Sequence, residues 1–149
     1  MFRTLKLVFP ALLLLLVDIA PVFAQEAAYQ IINRWRETAI AAAGQSATEQ
    51  SNNGLPSNQW FLEAADEGAV RFRSVTTGGY LYFSGALAVG QVPPTAREAM
   101  WRLEPVDAGH SRISNLAQPT IYLHTQPEFL EASPMQPNWW SAMWRLDQV

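Results

Sequence analysis

Two adjacent tryptophans, Trp139 and Trp140, are the residues whose type and spacing most clearly indicate chemistry. They lie within residues 136–141, a proline-containing stretch that breaks the surrounding pattern. Neighbours in an extended segment point to opposite sides, so the two rings cannot both enter one core. We expect at least one to be exposed, where its aromatic face is free to stack on an apolar face of a ligand. Asn138 beside them can hydrogen-bond hydroxyl groups.

Patterns for catalysis and metal binding are missing from the sequence. There is no cysteine, which excludes thiol catalysis and thiolate metal sites. The two histidines, His110 and His124, fit neither a Ser-His-Asp order nor a metal-ligand spacing, and no glycine-rich phosphate loop is present. We therefore expect a protein that is not an enzyme and that uses no cofactor and no metal ion.

The charge of the chain limits its partners. The formal net charge is −3 at pH 7 and the sequence pI is about 5.3. A mildly acidic chain is a poor ligand for nucleic acid or for an anionic membrane surface. We expect no nucleic-acid partner, and we expect a monomer.

The first 24 residues have the pattern of a secretory signal peptide. Arg3 and Lys6 form a short positive region, residues 7–23 are almost wholly apolar, and small residues at Val22 and Ala24 suit a signal peptidase. We expect cleavage after Ala24 and a secreted or periplasmic protein.

The alternative is an uncleaved membrane anchor. Pro10, Asp18 and Pro21 interrupt the apolar stretch, whereas a bilayer span needs about 20 apolar residues. We therefore expect no stable membrane span. Residues 25–149 then form one domain, which is long enough to bury a core without disulfide bonds.

An internal repeat divides that domain into three. Trp-x-Leu units begin at Trp60, Trp101 and Trp144, about 40 residues apart, which is a common length for a structural repeat. Gly68 and Gly109 follow their tryptophans at the same offset. The repeats are predicted at about residues 25–67, 68–108 and 109–149.

The agreement extends inside each unit. Arg71 and Arg112 lie at the same offset after those glycines, and each is followed by a Tyr-Leu pair, residues 80–81 or 122–123. The first repeat is more divergent: residues 30–33 match residues 112–115 in type and order, and Ile40 replaces the leucine. Repeats of this length typically hold about four short strands, so we predict twelve strands around one core.

Residues 27–43 disagree locally with this prediction. They have the composition of a helix that ends at Gly44, and helical spacing of their apolar residues fits about as well as strand spacing. We predict strands here because the repeat requires them.

Three such repeats, carrying Arg-apolar-x-Asn, Tyr-Leu and Trp-x-Leu, resemble the β-trefoil lectin modules of the ricin-B type. The stretch most similar to the family runs from residues 58–62 through residues 79–81, and fascin-like trefoils share the same skeleton. The resemblance covers residues 25–149 and implies an all-β fold, a β-trefoil with pseudo-threefold symmetry.

Departures from the family concern its ligand residues. The family places a Gln-x-Trp in each repeat, and the Gln positions here are Asn58, Ala99 and Ala142. Sugar-binding members place an Asp after the first strand of a repeat, and the matched positions here are Ala41, Tyr82 and His124. A galactose-type pocket with the usual Asp is therefore not expected.

The resemblance also indicates where a site could remain. Sugar-binding members place an aromatic platform further along the repeat, and Trp139 lies at a similar separation from His124. The third repeat is the first candidate and the second repeat the next. The predicted carbohydrate-binding residues are Trp139, Trp140, His124, Asn138 and Tyr82. The alternative is that Trp139 or Trp140 caps the open end of a barrel.

The function implied is an exported carbohydrate-binding module that uses aromatic stacking. Two alternatives stay open. One is a protein-interaction or protease-inhibitor trefoil acting through residues 51–58 or 91–97, with Arg97 as a bait residue; the other is a structural envelope protein with no small ligand. In each binding case the partner is a glycan or a protein outside the cytoplasm.

Overall fold

The structure, a computed structural model, describes residues 26–107 and 109–149. The predicted signal peptide and its cleavage position lie outside the described residues. Twelve strands follow one another, four in each repeat: β1 Ala28–Asn33, β2 Thr38–Ala43, β3 Ser46–Ser51, β4 Gln59–Ala64, β5 Val70–Ser74, β6 Tyr80–Phe83, β7 Leu87–Gly90, β8 Trp101–Asp107, β9 His110–Asn115, β10 Ile121–Thr125, β11 Leu130–Pro134 and β12 Trp144–Gln148.

Six of these strands close into a barrel. The ring runs β1–β4–β5–β8–β9–β12 and back to β1, and every pair in it is antiparallel. The first and fourth strands of each repeat thus form the barrel wall. The second and third strands form a hairpin that pairs with the first strand of its own repeat. The predicted all-β trefoil of three similar repeats is confirmed.

The three repeated tryptophans occupy equivalent places in the core. Trp60, Trp101 and Trp144 are all fully buried or nearly so. Each indole Nε1–H donates a hydrogen bond of 2.9 Å to the backbone carbonyl of a core residue on the second strand, namely Ile40, Leu81 and Leu123 respectively. Because a buried indole N–H needs a partner, this contact explains why the Trp and the second-strand residue recur together.

The repeated arginines stack on the repeated tyrosines. The Arg71 guanidinium lies 3.7 Å from the centre of the Tyr80 ring, and Arg112 lies 3.9 Å from the centre of the Tyr122 ring. In the first repeat Gln30 stands at the arginine position, and its side-chain nitrogen is buried without a partner.

Residues 27–43 form strands, as the repeat predicts, and not the helix their composition favours. Strand β1 pairs with β12 on one side and with β4 on the other, so tertiary pairing outweighs local helix propensity. Residues 34–36 make a turn between β1 and β2, and Glu37 closes it with a φ of 56°. The Asn33 side-chain oxygen accepts hydrogen bonds from the amides of Trp35 and Arg36, an Asx-type turn.

Within the described residues, four short 3-10 turns lie before or between barrel strands, including Trp140–Ala142 immediately ahead of β12. Across residues 26–107 and 109–149, no helix has the length and apolar character needed to span a bilayer.

Candidate functional site

A concave surface lies where the third repeat meets the first. A cavity of about 460 Å³ is lined by residues 125–127 and 138–141 of the third repeat and by Trp35 of the first. We call this surface the tryptophan cleft. Its volume falls within the range of about 300–1,000 Å³ that is usual for small-ligand sites.

Three tryptophans dominate the cleft. Trp35 and Trp139 are each 50% exposed, and Trp140 is 55% exposed. The chain has six tryptophans, so three fill the core and the other three surround one surface depression. Large exposed aromatic surface on a small protein is unfavourable unless a ligand or partner covers it, so a grouping of three indicates a binding surface.

The loop that carries Trp139 and Trp140 is held by backbone contacts. The amides of Ala142 and Met143 donate to the carbonyls of Trp139 and Trp140, which closes the 3-10 turn. Ala142 is fully buried, so the turn is anchored to the core while both indoles face outward.

Contacts from the first repeat fix the same loop. The Asn33 Nδ2 donates to the Ser141 carbonyl at 2.9 Å, and the Arg34 amide donates to the Met143 carbonyl at 2.9 Å. Because Asn33 also shapes the turn that carries Trp35, one side chain relates the two walls of the tryptophan cleft.

One face of Trp140 is covered by the protein itself. The Arg34 guanidinium lies 4.3 Å from the Trp140 ring centre and donates a 2.6 Å hydrogen bond to Asp107. That hydrogen bond lowers the pKa of the Asp107 carboxyl below its ordinary value. Asp107 is therefore ionised at neutral pH, and Arg34 contacts both this carboxylate and the Trp140 ring, the latter by a cation–π interaction.

Thr125, which also lines the cleft, is bonded to a buried carboxylate. Its hydroxyl donates to Glu49, whose side chain is only 8% exposed and also accepts from Thr38. The Arg36 Nε lies 2.7 Å from the same carboxylate. Glu49 thus links the third-repeat wall of the cleft to the turn beside Trp35.

Polar groups in the cleft are uncharged. Gln126 and Asn138 supply amides and Ser141 a hydroxyl, which can donate to and accept from sugar hydroxyls. None of the lining side chains is ionisable. Among the residues that the structure describes, no group of three or more His, Asp or Glu side chains could hold a metal ion.

His124 lies behind the cleft and does not line it. The ring is 1% exposed, and its Nε2 lies 2.7 Å from Glu131 and 2.6 Å from Ser133. Burial lowers the pKa of His124, although the nearby Glu131 charge acts in the opposite direction. The side-chain amide of Gln126 donates to the same Glu131 carboxylate. His124 is therefore connected to the cleft only indirectly, through Glu131 and Gln126.

Tyr82 lies elsewhere, on β6 of the second repeat, against Gly90 of the adjoining strand. Tyr82 and His124, the positions matched to the family's Asp, lie within the second strands of their repeats, β6 and β10. The first strands end earlier, at Ser74 and Asn115.

Of the predicted residues, the structure brings together Trp139, Trp140 and Asn138. Sequence reasoning missed Trp35, Gln126 and Ser141. Trp35 carried one signal: it is the remaining tryptophan of the chain that belongs neither to a Trp-x-Leu unit nor to the Trp139-Trp140 pair. The approach of Trp35 to the third repeat depends on the pairing of β1 with β12, which the sequence does not reveal.

Solved structures share the fold. The chain is similar to a GlcNAcα1-4Gal-releasing endo-β-galactosidase from Clostridium perfringens, with 25% identity and a TM-score of 0.76 over 83% of this chain and 32% of that one. It also matches the Macrolepiota procera ricin B-like lectin in complex with lactose, with 17% identity and a TM-score of 0.67 over 84% and 97% of the two chains. SeviL bound to asialo-GM1 saccharide matches with 19% identity and a TM-score of 0.70 over 80% and 95%.

These likenesses show that the fold is a β-trefoil. The chain spans about a third of the galactosidase and nearly the whole of the two lectins. No family model and no curated protein matches the sequence.

Proposed function

We propose that this protein is a carbohydrate-binding module whose ligand lies in the tryptophan cleft. The observation that carries the proposal is the grouping of Trp35, Trp139 and Trp140 around one cavity that also presents uncharged amides. Pyranose rings have an apolar C–H face and a rim of hydroxyls, so an aromatic face beside amides and hydroxyls complements both. The lectin structures that share the fold support the same class of ligand.

Stacking sets a modest affinity for a single sugar. Burying one sugar face on one tryptophan contributes about 1–2 kcal/mol, and the other rings and the amides of the cleft must supply the rest of the ~4 kcal/mol that a millimolar dissociation constant requires. We expect a monosaccharide to bind near the millimolar range. Because the cleft is lined by no carboxylate that could bind a metal ion, sugar binding should be insensitive to divalent cations.

Binding rather than hydrolysis is the proposed activity. A glycosidase needs two carboxyl groups on either side of the bond that it cleaves. The tryptophan cleft is lined by no carboxyl group and no histidine, so it offers neither a general acid nor a nucleophile.

The inhibitor alternative gains no support at its bait residue. Arg97 lies in a 3-10 turn and its guanidinium is paired with Glu67 at 2.8 Å. Both side chains are about half exposed, so this ion pair is weak and adds nothing for or against a bait role.

We further propose that the protein is exported after cleavage behind Ala24 and acts as a monomer outside the cytoplasm. Mass spectrometry of the protein recovered from its own cells should find a chain that starts at Gln25. A chain that retains residues 1–24 would instead identify a membrane-anchored protein.

A printed glycan array tests the proposed function. The wild-type protein should bind a subset of glycans, and the double variant Trp139→Ala, Trp140→Ala should lose that binding while remaining folded. Phe129→Ala is the matched control, because Phe129 is 54% exposed but lines a different cavity. Absence of glycan binding by the wild type would contradict the proposal and would favour a protein partner or a structural role.

A further inference from the structure

A second depression adjoins the tryptophan cleft. Its volume is about 230 Å³, and Pro127 lines both cavities. Arg36, the neighbour of Trp35, lies on its wall together with Gln50 and Ser51 of β3. The two depressions therefore form one surface that crosses Pro127.

The Glu49 carboxylate makes hydrogen bonds toward both depressions. One carboxylate oxygen accepts from Arg36 and Thr38, on the side of the second depression. The other accepts from Thr125, which lines the tryptophan cleft. Because both oxygens are occupied within the protein, Glu49 fixes the relative position of the two depressions and is not itself available to a ligand.

Charge distinguishes the two halves. The lining of the tryptophan cleft holds no ionisable group, and the two arginines beside its rings are each paired with a carboxylate, Arg34 with Asp107 and Arg36 with Glu49. The second depression holds one arginine and two glutamates, Glu49 and Glu128. Arg36 already pairs with Glu49, which leaves the exposed Glu128 carboxylate as the unbalanced charge. An acidic sugar placed here would meet a like charge, while an uncharged sugar would meet the Gln50 amide and the Ser51 hydroxyl.

We propose that this surface binds a linear, uncharged oligosaccharide of at least two sugar units and discriminates against acidic glycans. This inference rests on the proposed function and adds the ligand class. One unit stacks in the tryptophan cleft, the chain crosses Pro127, and the next unit hydrogen-bonds to Gln50 and Ser51. Glu128 repels sialic acid and uronic acid residues at that second position.

An array that prints each neutral oligosaccharide beside its sialylated or uronic-acid counterpart tests the ligand class. The bound glycans should be neutral, and their acidic counterparts should give a weaker signal. A preference for the acidic member of the pairs would overturn the inference while leaving the proposed function intact. Binding to no glycan at all would instead refute the proposed function.

Titration of the strongest neutral hit and its shorter fragments tests the second position. Affinity should rise from the monosaccharide to the longer chain. Gln50→Ala should weaken binding of the longer chain by roughly three- to tenfold, as expected for one or two lost hydrogen bonds, and leave the monosaccharide unaffected. Gln118→Ala, an exposed glutamine outside both depressions, is the control. An affinity that does not depend on chain length would overturn the proposal.

Glu128→Lys tests the discrimination directly. Because Glu128 is exposed, we expect the ratio of acidic to neutral binding to rise by roughly two- to fivefold at low salt and less at high salt. An unchanged ratio, in a variant that binds the neutral glycan normally, would contradict the proposal that Glu128 repels acidic sugars.

Discussion

The side-chain amide of Asn33 donates a 2.9 Å hydrogen bond to the carbonyl of Ser141, at the far end of the chain. The oxygen of the same amide accepts from the Trp35 and Arg36 backbone. Asn33 is fully buried, so one asparagine fixes both the loop that carries two cleft tryptophans and the turn that carries the third.

Asn115 makes the same contacts at the boundary between the second and third repeats. Its Nδ2 donates to the Glu98 carbonyl at 2.9 Å, and its oxygen accepts from the amides of Ala117 and Gln118. That boundary carries no cluster of exposed tryptophans. The two asparagines are therefore structurally matched but differ in what they position.

Replacing each asparagine by alanine should separate stability from binding. Both Asn33→Ala and Asn115→Ala should lose about 1–3 kcal/mol of unfolding free energy, because each leaves buried backbone groups without partners. Only Asn33→Ala should also weaken glycan binding in calorimetric titrations under conditions where both variants are folded. Equal loss of binding in the two variants would show that Asn33 acts through stability alone.

The core tryptophans allow a test of the repeat. Trp101→Ala should cost about 3–5 kcal/mol, the range for removing a large buried aromatic side chain. Trp101→Phe keeps most of the apolar surface but leaves the Leu81 carbonyl without its indole donor, so it should cost less than the alanine variant. Urea unfolding measures both values.

Equivalent substitutions at Trp60 and Trp144 should give similar losses, because all three side chains are buried and make the same hydrogen bond. A variant at one of the three positions that unfolds with wild-type stability would contradict their equivalence.

His124 should make stability depend on pH. Burial lowers its pKa below the ordinary value of 6.5, so the unfolded chain takes up a proton at a higher pH than the folded protein. The contribution is fully favourable above about pH 6.5 and is lost progressively as the pH falls toward the pKa of the folded state. Thermal unfolding should show a decrease in Tm across that window, and His124→Gln should reduce the decrease. An identical pH profile for the variant would contradict the assignment.

Most of the fold could be predicted from the sequence. The Trp-x-Leu units and the Arg and Tyr-Leu positions recur because each repeat meets the same packing demands around the barrel. The recurrence of Trp60, Trp101 and Trp144 identified strands even at residues 27–43, where local composition favoured a helix. Tertiary pairing of β1 with β4 and β12 decided that segment and outweighed the helix propensity of its residues.

The site was less predictable because it is made between repeats. Exposure of Trp139 and Trp140 follows from their adjacency, but the approach of Trp35 depends on ring closure between β1 and β12. His124 has the residue type of a sugar contact, yet its place on β10 buries it beside Glu131. A side chain's direction within a strand depends on register, which the repeat spacing alone does not give.

The indole N–H signals of the six tryptophans provide the most direct test of the account. In a two-dimensional ¹⁵N–¹H spectrum, assigned with single Trp→Phe variants, titration with the strongest array ligand should shift the signals of Trp35, Trp139 and Trp140. Those of Trp60, Trp101 and Trp144, which donate to buried carbonyls, should stay in place. A bound glycan that leaves the three cleft signals unmoved would contradict the proposal that the tryptophan cleft is the binding site.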